Sequence, residues 1–153
     1  MMYRVDAIGL QVFLAHNGGP IWCHIDEHGW TIPKGEIEDI GQVSDRDFLL
    51  QEAIREYQEE TSLVAMPPFL DLGSVKQKSG KIVYAWAFEG DWDGAPIKSN
   101  TFLMEWPKGS GKKQEFPECD RANYFTVSEA KGKINPAQFD FILRLVEILG
   151  KRV

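Results

Sequence analysis

Between positions 55 and 60 the chain reads Arg55-Glu56-Tyr57-Gln58-Glu59-Glu60, three carboxylates and a guanidinium within about one and a half helical turns. At helical spacing Glu56, Glu59 and Glu60 stand at i, i+3 and i+4, so all three point to one side. Like charges packed that closely cost stability unless something positive neutralises them. A hard divalent cation with oxygen ligands does this directly, and Mg²⁺ takes one or two carboxylates together with substrate phosphates. The plainer reading of such a run is a solvated acidic helix face. The residues upstream decide between them.

Upstream stands Trp30-Thr31-Ile32-Pro33-Lys34-Gly35. The stretch from Trp30 to Leu63 resembles the signature of the Nudix hydrolase family: a glycine after a strand, a glutamate further on, then Arg-Glu-(apolar)-x-Glu-Glu-x-Gly-(apolar). Its second half reads here Arg55-Glu56-Tyr57-Gln58-Glu59-Glu60-Thr61-Ser62-Leu63, and its first half opens with Gly35. His16-Asn17-Gly18-Gly19-Pro20 and Gln114-Glu115-Phe116-Pro117-Glu118 are similar to one bacterial branch of small Nudix proteins described as pyrophosphohydrolases. That branch is itself similar to diadenosine tetraphosphate hydrolases.

The resemblance implies a site. Glu56, Glu59 and Glu60 would ligate Mg²⁺ or Mn²⁺, Gly35 would add its backbone carbonyl, and one carboxylate would take the proton of the attacking water. Members of the family place that last role differently, so the base is left open. Arg55 stands four residues before Glu59 and can hold its rotamer rather than react. Glu118 lies six residues before Tyr124, and in the similar tetraphosphate hydrolases an acid stands at that distance before an aromatic. Glu115 competes with it on the same segment. Lys34 is either a phosphate contact or a solvated lysine. Glu52, one turn before Glu56, is either an outer ligand or surface charge. The activity implied is Mg²⁺-dependent hydrolysis of a phosphoanhydride in a nucleoside diphosphate linked to another group, with dinucleoside polyphosphates and nucleoside triphosphates ahead of nucleotide sugars. A Nudix-like sensor that binds a nucleotide without turnover is the alternative.

The pattern departs from the family in three places. Gly35 and Arg55 are twenty positions apart, farther than in the signature, so about six residues are inserted, and around Gly41-Gln42-Val43-Ser44 they are expected to bulge as a loop before the helix. Counting back from Arg55, the first glutamate of the signature falls on Asp47; counting forward from Gly35, it falls on Gly41. The last glycine of the signature is Ser62, which must close a helix without the easy left-handed geometry of glycine. The start is also late: Met1-Met2-Tyr3-Arg4 looks like the middle of the family's first strand, which is either shortened or begins upstream.

The elements that must position these groups can be read from pattern. Gly9–Ala15 is a strand ended by the turn residues Asn17-Gly18-Gly19-Pro20. A short strand near Trp30-Thr31-Ile32 is stopped by Pro33. Ser44 followed by Asp47 signals a helix start, giving a helix from about Asp45 to Thr61, with Leu49, Leu50, Ala53, Ile54 and Tyr57 as its apolar arc. Leu70–Lys78 and Lys81–Glu89 are strands about a Ser79-Gly80 turn. Thr101–Trp106 and Ala122–Thr126 follow, with a polar loop of Lys108–Lys113 between them that could close over polyphosphate. Ser128–Lys133 is a short helix, and Pro136 opens a last amphipathic helix carrying Phe139, Ile142, Leu143, Leu145, Val146 and Leu149. Mixed strands with helices at the middle and end give an α+β or α/β class, a mixed sheet sandwiched between helices. The Nudix fold has this order.

Composition bounds the rest. A chain of 153 residues, 43% apolar, is expected to form one domain over 1–153. A net charge of -6 argues against a nucleic-acid surface but not against a nucleotide bridged by a cation. No apolar run approaches ~20 residues, so no membrane span is expected. Cys23 and Cys119 are too few for a disulfide framework, and with no leader evident the expected compartment is the cytoplasm. His16, His24 and His28 lack metal-ligand spacing and read as loop or surface residues. Most of the five tryptophans read as core, although Tyr84 and Trp86, on one face of their strand, could stack on a base. The resemblance implies a small-molecule nucleotide as partner and leaves room for a homodimer.

Overall fold

The computed structural model describes residues 1–33 and 45–150. Strand β2 (Gly9–Asn17) is its centre. Along one edge β2 pairs antiparallel with β8 (Cys119–Thr126), from Gln11↔Thr126 to Asn17↔Cys119. Its other edge is shared by β1 (Met2–Asp6), which pairs with Gly9–Val12, and β3 (Trp30–Thr31), which pairs with Ala15 and His16. Beyond β1 lies β5 (Ile82–Glu89), parallel to it, and then β4 (Leu70–Lys76), antiparallel to β5. The sheet is therefore mixed. The β4–β5 connection closes through Gln77 and Lys81, with Gly80 at φ +92 supplying the left-handed turn position.

Alternation along the strands sends side chains to two faces. Val12, Leu14, Val83, Ala85 and Ala87 face one side, where they meet Ala130 of α2 (Val127–Lys133) and Phe141, Ile142 and Leu145 of α3 (Phe139–Gly150). Met2, Phe13, Phe88 and Tyr124 face the other side and meet Tyr57 of α1 (Arg46–Thr61). Helices cover both faces of one mixed sheet, as expected. Helix α2 begins with a capping box: Thr126 Oγ1 accepts from the Glu129 amide and the Glu129 carboxylate accepts from the Thr126 amide. Among the described residues no helix is long and apolar enough to cross a membrane.

Four expectations need correction. Lys108–Lys113 is not simply a loop between two strands of the sheet. An additional strand, β7 (Lys113–Pro117), pairs antiparallel with β6 (Thr101–Glu105) in a separate two-stranded hairpin, and the polar residues form its tip. Helix α3 turns Phe141 inward and leaves Leu143 and Val146 exposed, because its apolar arc, opposite Asp140, Arg144 and Glu147, is wider than the face the sheet covers. His16 is fully buried in β2 rather than lying in a loop. Trp22 is exposed, whereas Trp30 and Trp86 are core.

Candidate active site on the acidic flank of α1

Helix α1 begins where Asp45, in an extended conformation, accepts from the amides of Asp47 and Phe48, each at 3.1 Å. The cap is thus Asp45; Asp47 supplies first-turn negative charge, and Ser44 lies outside the described residues, as do Lys34, Gly35 and positions 41–44 of the expected bulge. Arg46, the first helical residue, pairs with Asp71 and lies over the rings of Trp86 (4.8 Å) and Tyr84 (5.4 Å). Those two aromatics do share a face. They border a groove lined by Leu50, Ile54 and Tyr57, on the apolar side of α1, so a base stacked there would stand away from the acidic flank.

The helix ends at Ser62 in the left-handed region, φ 61 and ψ 15. Serine therefore takes the geometry the glycine of the signature would take. Two bonds oppose the strain: its amide donates to Gln58 O at 2.7 Å and its hydroxyl donates to Lys98 O. The second of these ties the C-terminal end of α1 to the segment 98–100. In the same segment the Asn100 amide donates to Glu59 O at 2.9 Å.

On the acidic flank the Arg55 guanidinium donates to Glu52 at 2.6 Å, Glu56 at 2.9 Å and Glu59 at 2.7 Å. Its proton is held more tightly than usual by Glu52 first and then Glu59. Glu56 is the most enclosed of the three acids, its side chain 19% exposed against 32% for Glu52 and 36% for Glu59. Burial raises the Glu56 carboxyl above the ordinary glutamate value; Arg55 opposes this, while the charges of Glu59 and Glu118 add to it. Glu60 is half-buried on the same flank.

Glu118 reaches this flank from the other end of the chain. It sits between β7 and β8, at one foot of the hairpin. Its amide donates to Asn100 O at 2.8 Å, and Asn100 in turn donates to Glu59 O, so two backbone bonds connect it to α1. Ser99 adds a bracket, its hydroxyl donating to Cys119 O at 3.0 Å and accepting from the Cys119 amide at 3.1 Å. Glu115 is engaged elsewhere, accepting from Thr101 Oγ1 at 2.6 Å within the hairpin. The tip lysines, Lys108 and Lys112, stand a five-residue strand away from this foot, or about 17 Å at the rise of an antiparallel strand. A lysine side chain does not span that distance, so the hairpin as it stands does not close its tip over the acids.

Among the described residues no three His, Cys, Asp or Glu side chains converge as a metal cage. The donor chemistry nevertheless fits a hard cation: the acids offer only oxygen, and Glu56 carries a raised proton affinity that a cation would relieve. Two positioning features left no mark in the sequence pattern. Gln138 is buried, and its Oε1 accepts from the Ile32 amide (3.0 Å) and Thr31 Oγ1 (2.9 Å), pinning the chain just before Pro33. His16 makes bonds to Asp120 and Ile25 that bear on the Glu118 segment.

This mixed sheet between helices is similar in fold to the NUDIX domain of Shewanella oneidensis NrtR, solved in complex with ADP ribose. The two superpose with a TM-score of 0.55 at 16% identity, over 99% of this chain and 82% of that one. The chain has the Nudix fold. No protein-family model matches the sequence, and no curated protein matches it significantly. Within the Nudix fold, α1 with its carboxylates is the helix that carries the signature resemblance of residues 55–63.

Proposed function

We propose that this protein is a Nudix pyrophosphohydrolase that uses a divalent cation to cleave the diphosphate linkage of a nucleotide. The observation that carries the reading is the meeting of two separate acidic segments, the flank of α1 and Glu118, with Glu56 at the point where their charges act on one another. Glu56, Glu59 and Glu60, with Gly35, are the residues that would hold Mg²⁺ or Mn²⁺. The bound ion supplies neutralisation of the phosphate oxygens and activation of water.

The remaining steps belong to the chain. Arg55 holds Glu52, Glu56 and Glu59 in fixed rotamers, so the carboxylates are in place before substrate arrives. Glu56 and Glu118 are the two carboxylates offered to the proton of the attacking water, Glu56 because its proton affinity is already raised. Lys34 contacts a phosphate as a point charge. Water adds to phosphorus, and a nucleotide or phosphate leaves. A nucleoside polyphosphate, with diadenosine tetraphosphate or a nucleoside triphosphate foremost, is the proposed substrate class; the ADP ribose in the NrtR domain adds a nucleotide-linked sugar to those worth testing.

The second reading is a nucleotide sensor without turnover, and one observation favours it: Arg55 already pairs with three of the acids without any metal. The two separate in one experiment. Nucleoside polyphosphates, diadenosine tetraphosphate and ADP ribose are incubated with the protein and Mg²⁺ or Mn²⁺, and products are resolved by chromatography. Release that requires the cation is expected, and Glu118→Gln is expected to slow it more than Glu115→Gln. A nucleotide that raises the melting temperature but is recovered intact establishes the sensor instead.

A further inference from the structure

The motif His16-Asn17-Gly18-Gly19 has no part in the acidic flank, yet two of its polar contacts, from His16 and from Gly18, reach the segment that carries Glu118. His16 is fully buried, edge-on to Trp30 at 5.0 Å. Its Nε2 donates to Ile25 O at 2.6 Å, and its Nδ1 faces Asp120 Oδ1 at 2.8 Å. A carbonyl and a carboxylate are both acceptors, so the Nδ1–Oδ1 contact needs a further proton, shared by the pair. That makes a charge-assisted bond, stronger than a neutral one, between a fully buried ring and a partly exposed carboxylate. Asp120 stands two residues beyond Glu118. On the near side the Gly18 amide donates to Glu118 O at 2.9 Å. A Cβ on Gly18 would overlap the Pro117 carbonyl oxygen, so the motif admits only glycine at this seat without moving Glu118. A Cβ on Gly19 would come within 2.8 Å of the Phe102 ring, at the other foot of the hairpin.

We infer that His16, through Asp120, and Gly18, through its amide, are positioning residues that hold Glu118 against the acidic flank of α1. The inference rests on the proposed function for what Glu118 does there, not for where it is held. The chain of bonds is complete: His16 to Asp120 behind Glu118, Gly18 to its carbonyl, Asn100 to its amide, and Glu59 to Asn100. Loss of either anchor leaves the Glu118 carboxylate present but misplaced.

The test is a double-mutant cycle on the full chain: wild type, His16→Gln, Glu118→Gln and the double variant. Two properties are measured, Mn²⁺ affinity without nucleotide by electron paramagnetic resonance of the free ion, and kcat and KM for the nucleotide turned over. Expected is a drop in kcat of about tenfold for His16→Gln with KM changed less than about twofold, and a weaker Mn²⁺ site; in the Glu118→Gln background the same change adds less than about twofold to either loss. Losses that multiply in full would overturn the inference, because His16 would then act independently of Glu118. Should His16→Gln fail to fold, Asp120→Ala takes its place, since that side chain is partly exposed and its removal breaks the same contact from the other end. Gly18→Ala should behave as His16→Gln does. A protein that turns over no nucleotide but shows a non-additive Mn²⁺ cycle keeps the inference and loses the proposed activity; one that binds no Mn²⁺ and turns over no nucleotide loses both.

Discussion

The two faces of the sheet are packed differently. On one, aliphatic residues of β2 and β5 lie under α2 and α3 and pack against Phe141, Ile142 and Leu145, all with no exposure. On the other, aromatics predominate: Phe13 meets Trp92 at 5.3 Å and Tyr124 at 5.7 Å, and Tyr57 meets Phe88 at 5.2 Å, each edge to face. Here α1 touches the sheet through one apolar side while its flank stays charged. The first face is closed on all sides and serves stability. The second tolerates a half-buried row of acids because Arg55, and not the core, compensates them. The difference teaches that the candidate site is set where one helix is required to do both jobs.

The comparison breaks most visibly through Glu60→Gln. It keeps size and removes charge on the open face, so turnover should fall on the order of 100-fold or more while the melting temperature holds or rises; unchanged turnover at limiting Mg²⁺ removes Glu60 from the site. The matching change on the closed face, Phe141→Ala, should cost about 3–5 kcal/mol in a denaturant titration and leave the KM of the folded fraction alone. A loss below about 1 kcal/mol would mean that face is not the sealed one.

A finer contrast lies in Glu56. Its carboxyl holds its proton more tightly in the folded chain than the ordinary value of 4.5. Such a group contributes stability below the unfolded value and loses it as pH rises through the folded one. Metal-free Glu56→Gln should therefore melt above wild type at neutral pH, with the gap closing as pH falls to about 4.5; a gap independent of pH would assign the effect to packing. The smallest effect is expected at Ser62. Ser62→Ala keeps the left-handed strain and loses the bond to Lys98, for about 1 kcal/mol, whereas Ser62→Gly loses the bond but relieves the strain and should stay within about 0.5 kcal/mol of wild type. Equal losses in the two would show that the strain is not felt.

What the sequence made legible follows from range. The acidic flank is local: helical spacing alone brings Glu56, Glu59 and Glu60 to one side, and the helix was placed within a residue of Arg46–Thr61. The main strands carried alternation because each has a buried face. Strand β7 had none, since Lys113, Gln114, Glu115 and Pro117 are all exposed and only Phe116 turns inward, so no period marked it. His16 carries no sign of burial in the sequence because the partner that allows it, Asp120, lies 104 residues away. Gln138 was invisible for the same reason, joined to Ile32 across 106 residues. Ser62 lacks the easy left-handed geometry of glycine yet adopts it; its hydroxyl bond to Lys98, 36 residues on, supplies a tie that pattern does not encode.

The β6–β7 hairpin joins the rest of the molecule at its feet, where Asn100 and Glu118 are bonded together, while its tip over Pro107–Lys112 stands exposed. Length and composition at that tip can drift without shifting the register of the acids, because the two feet are tied at Asn100, just before β6, and at Glu118, just after β7. The tip is therefore the natural point at which to attach a fluorophore or a surface tether, and Ser110→Cys offers a handle whose chemistry is remote from the carboxylates it would report on.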